Sequence, residues 1–244
     1  CKDCDLIIIT AGRNRKPGET RLDLIAGNSA ILKNVVDQMK PHYTKGVIMI
    51  VSNPVDVLVY QCTKWMGLPN GMVFGTGCIL DSSRFTRLIA DYTRLNTEVV
   101  KATIVGEHGD AQIPIWSRVS IAGVPIQEYC ENVGLRWGEN IRKDISDKVR
   151  EMGATIIKGK GRTHYGIATC VCYLAEAVLN QRLTIAPVST MFQGEYGIED
   201  VCLSVPSIIG VNGVEKRLEE RWAEEEFLAF RQAAEKMRNV LKTL

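Results

Sequence analysis

The chain has 244 residues and a mass of 27.1 kDa, 45% of them hydrophobic and 24% charged, enough for a sizeable core in one large or two small domains, which excludes disorder and a disulfide-stapled miniprotein. Thirty basic residues against 28 acidic ones leave a net charge of +2 without a block of like charges, so there is no excess to hold a phosphate backbone and nucleic acid is excluded as a main partner. The longest apolar runs, at 6–9 and 47–51, fall far short of the ~18 residues of a membrane span.

The sequence opens at Cys1 and enters an apolar run within five residues, with neither a basic n-region nor a cleavage site ahead of it, so it reads as a fragment or a chain missing its front. Residues 6–10 predict a short strand ending at Ala11-Gly12. Residues 24–40 predict a helix, with Leu24, Ile31, Val35 and Met39 at helical spacing, and 47–52 predict a second buried strand. Apolar runs without alternation, joined through a helix, are how parallel strands covered on both faces read. Half of a doubly wound sheet is expected. A helix over 55–66, a short strand at 72–74 and a helix over 81–95 follow. The pattern then changes to α+β material. Residues 99–105 and 119–124 predict strands of a different sheet, 145–158 and 167–179 predict helices, and 184–190 and 201–211 predict a late β region, where Asn212-Gly213 has the hairpin signature. The tail at 218–244 predicts a helix, with Phe227, Phe230, Ala234, Met237, Leu241 and Leu244 forming a stripe suited to core packing. The eight cysteines are scattered and read as reduced thiols of a cytoplasm. Cys1 and Cys4 form a lone C-x-x-C without a second pair at zinc spacing, so no metal is expected.

Three histidines are present, and His108 stands out by its setting in Gly106-Glu107-His108-Gly109-Asp110, directly after a predicted strand. A packed structural histidine is one reading. The flanking glycines instead permit close backbone approach and presentation of the side chain from a loop. Asp81 and Arg84 open a predicted helix on one face. They read either as an N-cap with a surface ion pair, or as a carboxylate that orients an imidazole beside a guanidinium fork that grips a substrate carboxylate. The loop 12–21 packs four cations and one anion among Gly and Pro. Such a run is usually solvated surface, yet it lies beyond the carboxyl end of a parallel strand, where open α/β sheets bind ligands. Asn53, in V-S-N-P-V-D after the next strand, meets the same crevice.

T-A-G, R-K-P-G-E-T-R, V-S-N-P-V-D, L-D-S-S-R and G-E-H-G-D, in this order over the whole chain, resemble the L-lactate and malate dehydrogenase family. The resemblance implies an α/β fold: a parallel dinucleotide-binding sheet, incomplete at the N-terminus, followed by an α+β catalytic domain. Residues 1–77 would be the C-terminal part of an NAD-binding Rossmann domain and 78–244 the substrate domain, with a helix near 164–180 packing back on the first. The implied activity is NAD-dependent interconversion of pyruvate and L-lactate, with oxaloacetate and L-malate, or a catalytically silent truncated relative, as the alternatives. The implied setting is cytoplasmic glycolysis and fermentation, in a homotetramer or dimer without nucleic-acid or membrane partners. By position, His108 would be the general acid and base, Asp81 the carboxylate that stabilises its imidazolium, and Arg21 the residue that polarises the substrate carbonyl from a closing loop. Arg84, Asn53, Arg15 and Thr163 would contact the substrate, and Gly12, Arg13, Val51, Ser52, Asn53 and Thr76 would line the cofactor.

Several departures from the family pattern matter. The glycine-rich phosphate loop and the ribose-binding acid about 20 residues later would precede Cys1. Arg15 stands where many lactate enzymes carry glutamine and malate enzymes arginine. Asn14, Glu19-Thr20-Arg21, Thr163, Trp116-Ser117 and residues 194–212 nonetheless resemble bacterial lactate enzymes. Lactate is therefore expected first, with oxaloacetate reduction as a side activity. At the positions of an arginine and a histidine that bind fructose 1,6-bisphosphate in activated relatives stand Thr86 and Lys101, so weak or no activation is expected. A metal hydrolase built on His108 and Asp110 lacks further His or Cys ligands.

Overall fold

The computed structural model describes residues 1–14 and 20–244, with Arg21 described in its backbone alone. The first five elements are β1 (Leu6–Ile9), α1 (Arg21–Met39), β2 (Val47–Ile50), α2 (Val55–Met66) and β3 (Val73–Gly75). The three strands are parallel, with Leu6 opposite Val47 and Ile48 opposite Val73. Strand alternation in β2 sends Ile48 and Ile50 into the core shared with α1 and α2, and Val47 and Met49 into the core on the other face. Both faces are covered, which is why this strand is apolar throughout.

There follow α3 (Ile79–Thr93), β4 (Val100–Lys101), β5 (Ile104–Gly106), β6 (Gln112–Pro114), β7 (Ser120–Ile121), β8 (Val124–Pro125), α4 (Ile126–Val133), α5 (Glu139–Lys160), α6 (Tyr165–Leu179), β9 (Thr184–Gln193), β10 (Glu199–Gly210), β11 (Gly213–Arg217) and α7 (Glu224–Leu241). The main sheet runs β1-β2-β3-β9-β10-β5-β6, with β11 also on β10, and β4-β7-β8 form a small second sheet. The parallel part joins the antiparallel part where Gly75 of β3 faces Ser189 of β9. α6 covers Met49, Phe74 and Val188 with Cys170, Leu174 and Val178, and α7 covers Val105, Leu203 and Val205 with Phe230, Ala234 and Met237. No helix among the described residues is long and apolar enough to cross a membrane.

Three expectations need correction, the first being the strand read at 119–124, which is the hairpin of β7 and β8 turned at Ala122 and Gly123, both at positive φ. The strand read at 99–105 is two short strands in different sheets, because α3 takes the backbone groups between them. The Ser82 hydroxyl accepts the Ile104 N–H at 2.9 Å and Thr86 donates to the Ala102 carbonyl at 3.4 Å. The tail is helical only from Glu224. Residues 218–223 are held in an irregular path, with Leu218 N–H donating to Pro206 O and the Tyr196 hydroxyl accepting Glu220 N–H at 2.8 Å. The Glu226 carboxylate then accepts the Ala223 N–H at 3.0 Å and starts the helix. The Asn212-Gly213 hairpin joins β10 to β11 as expected.

Candidate active site

The carboxyl ends of β1, β2 and β3 open into a cavity of about 520 Å³. Thr10, Gly12, Arg13 and Asn14 reach it from the loop after β1, Val51, Ser52 and Asn53 from the loop after β2, and Thr76 from the end of β3. The two loops touch. Ser52 Oγ donates to the Ala11 carbonyl at 2.6 Å, and a Cβ on Gly12 would stand 3.1 Å from Ser52 Cβ, so glycine permits the approach. Opposite them stand His108 from the loop after β5, Leu80 and Arg84 from α3, Gly153, Ala154 and Ile157 from α5, and Thr163 and Ile167.

His108 is presented by strand end and glycine together. β5 stops at Gly106, and Gly106 (φ 91°) and Gly109 (φ 148°) take positive φ on either side of it. Its backbone N–H donates to Asp56 Oδ2 at 2.8 Å, and its Nδ1 lies 2.6 Å from Asp81 Oδ2. The other oxygen of Asp81 takes Arg84 Nη1 at 3.3 Å. Asp81 is therefore neither an N-cap nor half of a surface pair. The N-cap of α3 is Cys78, and Asp81 is a buried carboxylate shared by an imidazole and a guanidinium. With Nδ1 engaged by a carboxylate, the imidazole keeps Nε2 for chemistry.

The electrostatics favour the protonated ring. Burial lowers the His108 pKa, but the Asp81 hydrogen bond and the negative charges of Asp81 and Asp56 outweigh it, and the net shift is upward despite opposition from Arg84. A histidine held in this way keeps its proton to a higher pH than an ordinary imidazole, which suits it to donate that proton and take it back.

The other sequence-derived candidates divide by position. Arg84, Asn53, Thr163, Gly12, Arg13, Val51, Ser52 and Thr76 all line the same cavity as His108, with Asp81 directly behind it. The Arg13 guanidinium lies across α1, where a Cβ on Gly27 would meet its Nε at 2.7 Å, and Nη2 donates to the Asp23 carbonyl at 3.2 Å. Arg15 lies outside the described residues, as does the Arg21 side chain. Arg21 itself is the first residue of α1, placed there by a capping box in which Thr20 Oγ1 accepts Asp23 N–H at 3.1 Å and Asp23 accepts Thr20 N–H at 2.9 Å. Among the described residues no three His, Cys, Asp or Glu side chains are grouped to hold a metal.

Residues 1–75 match the model of the lactate/malate dehydrogenase NAD-binding domain, and residues 78–244 match that of the lactate/malate dehydrogenase alpha/beta C-terminal domain. The chain belongs to the lactate/malate dehydrogenase family. Among the lactate/malate dehydrogenases it resembles, the L-lactate dehydrogenase of Acetivibrio thermocellus is 38% identical over the whole chain and 78% of that protein, and that of Thermoanaerobacterium saccharolyticum is 41% identical with the same coverage. The ligand-bound minor L-lactate dehydrogenase of Enterococcus mundtii superposes with a TM-score of 0.95 at 38% identity, covering all of this chain and 77% of that one.

The lining fits part of a dinucleotide, since Gly12 permits close approach of the two loops and Thr10, Ser52 and Thr76 line the same cavity as His108. Two buried polar residues beside the site, Asp56 and Asn28, belong to none of the roles read from the sequence. Asp56 links His108 to Ser189, whose hydroxyl donates to Asp56 Oδ1 at 2.6 Å. Asn28 binds the loops after β1 and β2. The available signal was a single polar residue inside an apolar helical stretch, Asp56 among Val55, Val57, Leu58 and Val59.

Proposed function

We propose that this protein catalyses the NAD-dependent interconversion of pyruvate and L-lactate, a reading carried by the buried Asp81–His108 pair set beside Arg84 in one cavity. NAD, when bound, supplies the hydride acceptor or donor. Arg84 binds the substrate carboxylate with its planar fork. Asn53 hydrogen-bonds the substrate oxygen, Thr163 walls the pocket, and Arg21 polarises the carbonyl. His108 Nε2 gives its proton to that oxygen as the 2-oxo acid is reduced and removes it in the reverse direction, while Asp81 stabilises the imidazolium. Gly12, Arg13, Val51, Ser52, Asn53 and Thr76 hold the nicotinamide end. Residues 1–77 form the cofactor half and 78–244 the substrate half.

The second reading, oxaloacetate and L-malate, rests on Arg15, whose charge suits a second carboxylate. NADH oxidation followed optically with pyruvate and oxaloacetate in parallel separates the two. A higher kcat/KM for pyruvate supports the first reading, and a higher value for oxaloacetate overturns it. Self-association into a dimer or tetramer is favoured by the apolar face of α6 and the segment after it, where Tyr165 (70%), Leu179 (54%) and Leu183 (63%) are exposed. The cysteines, none of them in a disulfide, favour a reducing cytoplasm, the setting of a glycolytic or fermentative enzyme.

A further inference from the structure

α1 turns an apolar stripe inward, with Ile25, Leu32 and Val36 each 1% exposed, and in the middle of it stands Asn28, also 1% exposed. A buried carboxamide is unfavourable unless its groups are bonded, and here they are. Asn28 Oδ1 accepts the Arg13 N–H at 2.9 Å, and Nδ2 donates to the Arg13 carbonyl at 3.1 Å and to the Asn53 carbonyl at 2.6 Å. One amide thus grips the loop after β1 from both sides and ties it to the loop after β2. Aspartate of the same shape has no donor for either carbonyl, and leucine has neither donor nor acceptor. Asn53 Oδ1 takes the Val55 N–H at 3.3 Å, so backbone and side chain of Asn53 are both set, its carbonyl by Asn28 and its amide oxygen by the start of α2.

We infer that Asn28 is a positioning residue for the reaction, acting through Asn53 and Arg13. This rests on the reading of Asn53 as a substrate contact. The carbonyl of Asn53 fixes its peptide plane, and a shift there moves the side chain that meets the substrate oxygen. Effective catalysis depends on such placement to within a fraction of an ångström.

The test is pyruvate reduction by the wild-type protein and by Asn28→Asp, Asn28→Leu, Asn53→Ala and the Asn28→Asp/Asn53→Ala double variant, with rates referred to folded protein. Asn28→Asp and Asn28→Leu are expected to lower kcat/KM by about 10- to 100-fold, the scale of a misplacement of up to about 1 Å at the reacting centre, with the loss mainly in kcat. On an Asn53→Ala background, Asn28→Asp is expected to add less than about threefold, the non-additivity of two residues that act as one. Fully multiplicative losses, or Asn28 variants with reduced stability and unchanged kcat/KM, overturn the inference. Should the Asn28 variants not fold, hydrogen exchange in the wild-type protein decides. The Arg13 amide is expected to exchange at least about tenfold more slowly than the flanking loop amides, and equal rates overturn the clamp. Wild-type protein that reduces neither pyruvate nor oxaloacetate removes the proposed function and this role with it. Active wild type with indifferent Asn28 variants removes this role alone.

Discussion

The Asp81 carboxylate and the His108 imidazole meet at 2.6 Å, from Oδ2 to Nδ1, with the Asp81 side chain only 4% exposed. A carboxylate in that position does two things: it holds the proton on Nδ1, leaving Nε2 to face the cavity, and it compensates the positive charge of the ring.

Asp81→Asn should therefore keep the shape of the site and lose both effects. The expected loss in kcat for pyruvate reduction is about 10²- to 10⁴-fold, with the fold intact by circular dichroism. A loss below about tenfold would show that the imidazole is oriented by other groups.

The pH dependence follows from the upward shift at His108. Reduction of a 2-oxo acid uses the imidazolium, so kcat/KM for reduction should persist through the ordinary histidine value of 6.5 and decline only as pH rises through the raised value. The same pairing contributes stability below the unfolded-state value and loses it as pH climbs through the folded one. Because the Asp56 charge is one of the influences raising the pKa, Asp56→Asn should move the high-pH limb of the reduction profile to lower pH. A limb that stays in place would confine Asp56 to holding the His108 backbone.

Arg84→Lys retains the charge and abandons the fork. An ammonium cannot make the two parallel hydrogen bonds a carboxylate accepts from a guanidinium. KM for pyruvate should rise by about 10- to 100-fold, on the scale of a charge-assisted hydrogen bond. Steady-state kinetics with pyruvate in excess of the new KM would reveal an unchanged KM if Arg84 serves only Asp81.

Arg15→Gln should lower the activity with oxaloacetate relative to pyruvate. Removing a cation from the loop leaves the second carboxylate of oxaloacetate without its partner, and pyruvate has none to lose. A ratio of the two kcat/KM values that does not change would assign the discrimination to other walls of the pocket.

Thr86 and Lys101 line a separate groove of about 640 Å³, and the Thr86 hydroxyl is already donating to the Ala102 carbonyl. Lys101 is then the single cation of the pair. Titration with fructose 1,6-bisphosphate is expected to leave KM for pyruvate within about twofold, since one phosphate contact is too little to bias an assembly. A large drop in KM would contradict this.

The parallel half of the fold was legible because its strands are short uninterrupted apolar runs, most plainly β2, whose Val, Ile, Met and Ile are buried on both faces. The order of β1, α1, β2, α2 and β3 follows from those runs and the helical spacing between them. Short antiparallel strands gave no such signal. β4 and β5 lie in one β-rich stretch, 99–105, with no turn residue between them, and what separates them is Ser82, a side chain on another element. Of the site, His108, Asp81 and Arg84 were legible as types in a telling context, and their meeting was not, since Asp81 and His108 are joined only by the packing of α3 against β5. Asp56 and Ser189 lie further apart still in the chain. Their hydroxyl–carboxylate bond is made by the packing of α2 against β9.

Gly75 facing Ser189 joins the parallel strands β1, β2 and β3 to the antiparallel strands in one sheet. Two lobes hung on a flexible link can shut like jaws around a ligand, but two lobes sharing a hydrogen-bonded slab cannot swing without tearing it. The slab therefore keeps His108 and the strand ends that line the cavity at a fixed spacing. The accuracy of the chemistry is inherited from that fixed frame.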